Sequence, residues 1–292
     1  MFRSKVFIVR SAHVISSSGN IDEKRLTHLF SQGFALLQDS TGQQLFDSFS
    51  SVGIKINTLG GKKISTRPEL ALITADYIER NYSPRTITIW DRSNRELREA
   101  GFRLNLRRKG PLIYGTDTQG IGYNPNLISN RNIGSRLSNI QSEKISSSIS
   151  LAILKDHGLA GVTAGMKNYF GAIHNPNKYH DFNCNPFIPE LLECPAIGKK
   201  HRLTILDCLT VQYHRGPSYH AKWAEKYGAL IFSLDPVAAD YTGWQVIENL
   251  RAKKGLPSLK EEKREPGYLK TAEKMGLGQA TRENIQIIEE EE

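Results

Sequence analysis

The first hundred residues alternate short apolar runs with stretches in which apolar residues recur at helical spacing. Val6–Val9, Val52–Ile56 and Thr86–Trp90 are short, apolar and partly β-branched, which is typical of buried strands. Leucine and phenylalanine recur every three or four positions over Ile21–Leu37, and Pro68 stands where proline favours the first turn of a helix. The pattern therefore predicts three strands with a helix between each pair.

The alternation resumes at residue 150. Ser150–Leu154, Leu203–Leu206 and Ala229–Leu234 predict three more strands. Val237–Lys253 predicts a long helix, which the Gly-Leu-Pro sequence at 255–257 would end. Strands that alternate with helices favour an α/β fold with a mostly parallel sheet flanked by helices.

Two stretches depart from this pattern. Residues 101–148 are rich in glycine, asparagine and serine, and they predict an irregular, loop-rich insertion with short strands. Residues 258–292 predict a charged linker, a last helix from Tyr268 and an acidic tail. We expect residues 1–257 to form a single α/β domain, with 258–292 packed on or beside it.

The charge of the chain is uneven. Residues 1–150 carry 21 Lys and Arg against 12 Asp and Glu, whereas residues 151–292 carry 18 of each sign, so the net charge of +9 lies in the first part. Much of the excess falls within 92–109, which includes Arg107 and Arg108. A basic face can bind nucleic acid or an anionic small molecule. We favour a solvated helix and loop here, and keep a nucleic-acid-binding protein as the alternative function.

Polar residues follow the predicted strands. Open α/β sheets bind ligands beyond the carboxyl ends of their strands, so these positions predict one shared cleft, although any single one of them is more often structural. Aspartates and a histidine at such ends could also hold a divalent metal, for which Asp207, Asp240 and His174 are the candidates. The strand-end residues are Lys55, Asn57, Asp91, Lys155, Asp156, His157, Asp207, Asp235 and Asp240.

The richest segment runs from residue 155 to residue 174. Gly158, Gly161 and Gly165 would let the backbone approach a ligand closely. The segment would then enter a helix whose free N–H groups suit an anion, together with Thr163 and Lys167. It is neither a Walker A sequence nor a GxGxxG fingerprint. A strand-to-helix turn packed for close contact is the simpler interpretation. The lysines favour a phosphate or carboxylate ligand over a bare cation.

Three motifs together resemble the family called domain of unknown function 362. The first is Leu154–Asn168 followed by Phe170-Gly171, the second is Lys55-x-Asn57 with Thr66, Pro68 and Glu69 downstream, and the third is Leu234–Asp240. The resemblance implies an α/β core; some members are fused to ferredoxin-type iron–sulfur domains and some carry export signals. This chain has three cysteines and no CxxC pair, so we expect no iron–sulfur cluster within it.

These observations lead us to expect an enzyme of unknown reaction with a Lys/His/Asp-lined cleft for an anionic small molecule or metal-bound ligand. A non-catalytic scaffold is a further alternative.

We expect no membrane span, because no apolar run approaches the roughly 18–20 residues that one needs. We expect a cytoplasmic location, with an exported form cut from a longer precursor left open. The predicted catalytic residues are His157, Lys155 and Asp235, and the predicted ligand-binding residues are Lys55, Asn57, Asp91, Thr163, Lys167 and Asn168.

Overall fold

The structure of the protein is a computed structural model that describes residues 3–42, 44–107 and 109–292. Its longest helix begins after Asp22, whose side chain accepts the backbone N–H groups of Lys24 and Arg25 as an N-cap, and ends at Gly42 in the left-handed conformation. No helix within these ranges is both long and apolar enough to cross a membrane. The α-helices are α1 (Glu23–Thr41), α2 (Pro68–Tyr82), α3 (Asn94–Glu99), α4 (Phe187–Glu193), α5 (Pro195–Gly198), α6 (Pro236–Lys253) and α7 (Tyr268–Lys274).

A nine-stranded sheet forms the centre of the molecule, in the order β11-β1-β10-β9-β7-β2-β3-β4, with β8 paired to β7 outside this path. A separate hairpin contains β5 and β6. The strands are β1 (Ser4–Arg10), β2 (Ser51–Ile56), β3 (Thr86–Asp91), β4 (Leu112–Gly115), β5 (Tyr123–Asn130), β6 (Ile133–Ser138), β7 (Ser147–His157), β8 (Gly161–Thr163), β9 (His201–Gln212), β10 (Ala224–Ser233) and β11 (Ile285–Glu291).

Strand direction decides which residues can meet at one edge of this sheet. β9, β7, β2, β3 and β4 run parallel to one another, and β1 and β11 run the same way. Within the described sheet, β10 and the short β8 run antiparallel to their neighbours. The predicted α/β fold with a mostly parallel sheet flanked by helices is confirmed.

Helices cover both faces of the sheet. On one face, α1 packs against β1 and β10, as in the ring contact of Phe30 with Phe232, and α2 packs against β2 and β3. On the other face, α6 packs against β7, β9 and β10, α7 packs against α6, and α4 packs against α7. All eleven residues of β7 are buried, as expected for a central strand that is covered on both faces.

The glycine-rich segment after β7 differs from its prediction. β7 extends three residues beyond the predicted end at Leu154, and a tight turn then leads into the antiparallel β8. A 3-10 helix at Lys167–Ala172 follows, in place of the predicted α-helix. A segment with glycines at 158, 161 and 165 favours such a hairpin, since the left-handed φ of +79° at Gly161 is costly for other residues.

The last 35 residues are tied to the sheet. β11 pairs in parallel with β1 and extends through Glu291, so the glutamates predicted as a solvated tail lie in an edge strand with exposed side chains. The segment predicted as a charged linker holds an ion-pair network, in which Arg264 binds Asp156 and Glu262, and Glu262 also binds Arg251. The domain division at residue 257 stays a prediction.

Candidate functional site

A cavity of about 320 Å³ opens at the carboxyl ends of β2, β3 and β7. Because these strands are parallel neighbours, residues far apart in sequence meet here. Eight of the predicted site residues line this cavity, namely Lys55, Asn57, Asp91, Lys155, His157, Thr163, Lys167 and Asn168. The structure adds Leu59, Arg92, Glu96, Phe170, Gly171, Pro176, Asn177, His180 and Pro217 to its lining.

Lys55 lies on the floor of the cavity, and its ammonium group is fully occupied. Its Nζ donates to Asp91 Oδ1 at 2.7 Å, to Asn168 Oδ1 at 3.1 Å and to the backbone carbonyl of Ile56 at 2.7 Å. An ammonium group has three protons, so none is left for a ligand. Burial lowers the pKa of Lys55, and the charge of Asp91 acts in the opposite direction. Lys55 therefore has no proton free for an anion in this arrangement, and its role in binding stays a prediction.

The partners of Lys55 are occupied as well. The second carboxylate oxygen of Asp91 accepts both the backbone N–H and the hydroxyl of Thr58 at 2.7 Å each. The side-chain amide of Asn168 donates to the Lys55 carbonyl and to the Ser150 hydroxyl. Gly171 packs against this group, and an added Cβ would lie 2.7 Å from Lys55 Nζ. Lys55, Asp91, Asn168 and Thr58 thus form a closed network, which we call the floor.

Lys155 and Lys167 lie on the wall of the cavity and differ from Lys55 in having no carboxylate partner among the described residues. Lys155 Nζ donates to the carbonyls of Leu59 at 2.7 Å and Ile64 at 3.0 Å. Burial lowers its pKa to about 7; the charge of Asp91 opposes this shift, and the charge of Lys167 adds to it. One proton of its ammonium form remains available, so Lys155 can meet a ligand.

Lys167 is 7% exposed, and its Nζ lies 3.2 Å from His180 Nε2 and 4.5 Å from the centre of the Phe170 ring. His180 Nδ1 lies 3.0 Å from the Pro176 carbonyl, which can only accept, so Nδ1 carries the proton and Nε2 accepts from Lys167. Burial lowers the pKa of Lys167 to about 8. Two of the three ammonium protons of Lys167 are left for a ligand.

His157 ends β7 beside these lysines. Its Nδ1 accepts the backbone N–H groups of Leu159 and Ala160 at 3.2 Å each, which assigns the proton of the neutral ring to Nε2. Burial, followed by the charge of Lys167, lowers its pKa to about 2. An ordinary histidine has a pKa near 6.5, which would suit a general acid or base at neutral pH, and burial removes this property from His157. His157 therefore acts as a neutral hydrogen-bond donor and is a poor base at neutral pH.

Asp235 is separated from the cavity, contrary to the prediction that it acts with His157. Since β10 runs antiparallel to β9, the residues that follow it lie at the edge where β7 and β9 begin. Asp235 instead caps α6, accepting the backbone N–H groups of Val237 at 2.8 Å and Ala238 at 3.0 Å. The apolar run predicted the strand correctly but carried no information on its direction.

The three candidate metal ligands do not meet. Asp207 lies inside β9 on the face of α2, where it accepts the Arg67 backbone N–H at 3.1 Å. Asp240 lies in α6 on the other face, and exposed His174 contacts the Tyr123 ring. The described ranges contain no group of three or more His, Cys, Asp or Glu residues that could hold a metal ion. The prediction of one metal site from these residues is wrong.

Asp240 also explains why the glycine-rich segment offers no free N–H groups at positions 165 and 166. Its carboxylate accepts the backbone N–H of Gly165 at 2.7 Å and that of Met166 at 3.1 Å, and the Tyr268 hydroxyl donates to it at 3.1 Å. Burial raises the pKa of Asp240 to about 7. An anion in the cavity would therefore have to be bound by side chains rather than by these backbone N–H groups.

Two residues of the cavity mouth were missed as site residues. Arg92 directly follows β3 and lies 3.7 Å from Glu96, whose pKa is raised by burial. The position of Arg92 after a strand was a usable signal, but it was assigned to the basic stretch. The other described basic residues of that stretch are exposed, including Arg107, while Arg108 lies outside the described residues. The nucleic-acid interpretation of 92–109 stays a prediction.

The fold and the cavity define an α/β protein with lysines at the carboxyl edge of its sheet. The model of the family "Domain of unknown function (DUF362)" matches residues 52–245, which include all three motifs, and the chain belongs to this family. The resemblance stated from the sequence is confirmed.

A Thermotoga maritima protein solved by the Northeast Structural Genomics Consortium is similar, with 11% identity and a TM-score of 0.44. The match covers 81% of this chain and 60% of that one. No protein of curated function matches the chain.

Proposed function

We propose that the cavity binds a small molecule through a phosphate or carboxylate group, and that the protein is an enzyme acting on that molecule. The observation that carries the proposal is the burial of Lys155 and Lys167 in one cavity without a carboxylate partner among the described residues. An uncompensated buried cation costs several kcal/mol in desolvation, so a protein that retains two of them gains when an anion binds between them.

The acidic residues of the cavity are paired with other groups, and only the charge of Asp91 reaches Lys155 without contacting it. Asp91 faces Lys55 and accepts hydrogen bonds on both oxygens, and Glu96 lies by Arg92 at the mouth. Lys155 and Lys167 are therefore the excess positive charge of the interior. A volume of about 320 Å³ matches the lower end of the range for small-molecule sites, roughly 300–1,000 Å³.

Three neutral side chains would orient the ligand. The Nε2–H of His157 is a donor suited to an anionic or carbonyl oxygen, because burial keeps the ring neutral. The buried Oδ1 of Asn57 has no hydrogen-bond partner, so a hydroxyl or amino group on the ligand would satisfy it. Thr163, which pairs with Lys155 across the β7–β8 hairpin, offers a hydroxyl on the same wall.

Titration calorimetry with inorganic phosphate at about pH 7 tests this proposal. We expect binding to the parent protein and a loss of about tenfold or more in affinity for Lys167→Met, since one buried charge–charge hydrogen bond contributes about 1.5–3 kcal/mol. Lys178→Met is the matched control, because Lys178 is an exposed lysine eleven positions along the same segment. Equal affinities for the parent and both variants would exclude the cavity as the site.

The location of the protein is also part of this proposal. Cys184, Cys194 and Cys208 are all buried free thiols, which fits a reducing compartment such as the cytoplasm.

A further inference from the structure

We propose that Lys167 is a nucleophile that forms a Schiff base with its substrate, a small carbonyl compound bearing the anionic group. This inference rests on the proposed function, since the anionic group would deliver the carbonyl carbon to Lys167. It assigns a reaction class to the cavity and one residue to the covalent step. The three cavity lysines differ in how they are hydrogen-bonded.

Forming an imine removes hydrogens from the lysine nitrogen, so a lysine that holds several acceptors is a poor candidate. Lys55 donates to three acceptors and is enclosed in the floor. Lys155 holds two backbone carbonyls, and an iminium nitrogen with its single N–H would leave at least one of them without a partner. An unsatisfied buried carbonyl costs about 1–3 kcal/mol. Both lysines are therefore disfavoured.

Lys167 can form an imine without leaving a hydrogen-bond acceptor unpaired. Within the described residues its hydrogen-bond partner is a single acceptor, His180 Nε2. An iminium nitrogen keeps one N–H, which can continue to donate to Nε2, so no acceptor is lost when the imine forms. The Pro176 carbonyl fixes the tautomer of His180 that makes this possible. His180 is thus a positioning residue for the lysine nitrogen.

His157 supplies the second requirement, a donor for the carbonyl oxygen. Its ring stacks on that of His180, with the ring centres 5.8 Å apart, so both histidines face the same part of the cavity as Lys167. A neutral imidazole with its proton on Nε2 can polarise a carbonyl by hydrogen bonding without first losing a proton. The burial that makes His157 a poor base keeps it in this donor form.

The covalent step balances without an oxidant or reductant. The lone pair of neutral Lys167 attacks the carbonyl carbon, and the carbonyl electron pair moves to oxygen, which takes up the proton that nitrogen releases. The resulting carbinolamine takes one further proton from solvent, loses water and becomes the iminium ion. The step needs a neutral amine, and burial of Lys167 favours that form near pH 8.

Borohydride trapping tests the inference. The parent protein is incubated with pyruvate as the probe at about pH 8, reduced with sodium borohydride, digested and mapped by mass spectrometry. About half of Lys167 is neutral at this pH, against roughly one in 300 for a lysine of ordinary pKa. We expect Lys167 to carry the reduced adduct at least about tenfold more than exposed Lys178, and acetone, which lacks an anionic group, to label it more weakly.

Two variants test whether labelling requires the amine of Lys167. Lys167→Arg keeps the charge and cannot form the imine, so specific labelling should disappear, whereas Lys178→Arg should label as the parent does. Mapping of the parent protein stands without these variants, so a folding defect in one of them leaves the test intact.

Phosphate calorimetry on the same parent protein separates the two proposals. Binding of phosphate without an adduct on Lys167, or labelling spread evenly over exposed lysines, would overturn the Schiff-base inference alone. An adduct on Lys167 without phosphate binding would overturn the proposed phosphate site. Equal labelling by acetone and pyruvate would overturn the anionic substrate class.

Discussion

The floor and the wall of the cavity both contain buried lysines, but the lysines of the two regions have different hydrogen-bond partners. On the floor, Lys55 donates three hydrogen bonds and faces Asp91, which is itself fully bonded. On the wall, Lys155 and Lys167 are also buried but face carbonyl oxygens and a histidine, respectively. The floor is therefore a closed ion pair, whereas the wall lysines have no carboxylate partner among the described residues, and the proposed anion would take that place.

Substitutions in the two regions should therefore change stability in opposite directions. A residue that completes a network stabilises the folded state, whereas an uncompensated buried charge destabilises it. The predictions below test this contrast, beginning with the largest effect.

Asp91→Asn should have the largest effect on stability. It leaves the Lys55 ammonium buried at 1% exposure without a counter-charge, and removing one partner of a buried ion pair costs about 3–5 kcal/mol. Urea denaturation would measure the loss in the free energy of unfolding, with Asp76→Asn as a control, because the ion pair of Asp76 with Arg80 is exposed. A loss as small as that of the control would mean that the floor is not a structural pair.

Lys167→Met should act in the opposite direction. Replacing a buried ammonium that lacks a carboxylate partner by an apolar chain of similar length should raise the free energy of unfolding by about 1–2 kcal/mol, measured without ligand. The same variant should lose phosphate affinity. A variant destabilised by several kcal/mol would show that the charge of Lys167 stabilises the folded state. The floor and the wall would then not differ in their effect on stability.

The pH dependence of stability should follow the wall lysines. Their folded-state pKa values, about 7 for Lys155 and about 8 for Lys167, lie below the ordinary value of 10.5. The unfolded chain then binds more protons between those values, so stability should rise from about pH 7 towards pH 10, by at most about 1.4 kcal/mol per pH unit and lysine. Lys167→Met should rise less steeply between pH 8 and pH 10, and an unchanged slope would contradict the lowered pKa.

His157 should contribute a smaller dependence at acid pH. Its folded-state pKa of about 2 lies below 6.5, so stability is lost as the pH falls below 6.5. His157→Gln should reduce the loss between about pH 6.5 and pH 5, where most acidic groups stay ionised. Thermal melts at fixed ionic strength would measure the loss of stability. Identical profiles for the parent and the variant would indicate that His157 takes up its proton at the same pH in the folded state as in the unfolded chain.

Arg107→Ala should have the smallest effect. Arg107 is exposed and lies outside the cavity, so both stability and phosphate affinity should stay close to those of the parent, with stability within about 0.5 kcal/mol. A gel shift at low salt tests the alternative function with the same variant. Nucleic-acid binding that falls steeply with salt and weakens in Arg107→Ala would favour the nucleic-acid interpretation.

The sequence predicted the location of the cavity better than the roles within it. Lys55, Lys155 and His157 were found because they follow apolar runs that form parallel strands. Their roles depend on long-range contacts, such as that of Lys55 with Asn168, which lies 113 positions away. Burial also moves the pKa of His157 far below the ordinary value for histidine, and burial depends on the same long-range packing.

Strand direction accounts for the main positional error. Asp235 follows a strand as clearly as Asp91 does, yet β10 is reversed and β3 is not. A single apolar run has no direction relative to its neighbours, because direction depends on the connections between strands. Asp240 was misjudged for a related reason, since its partners Gly165 and Met166 lie 75 and 74 positions away.

Sulfate binding as a function of pH tests most directly the claim that the wall lysines hold an anion. Sulfate keeps its charge between pH 6.5 and about pH 9.5, so any change in affinity comes from the protein. Calorimetry should show an affinity that falls by about tenfold or more across this range, as Lys155 and Lys167 lose their charges. Lys178→Met should follow the parent. Sulfate affinity that stays constant over this range, or no binding at pH 6.5, would contradict the account.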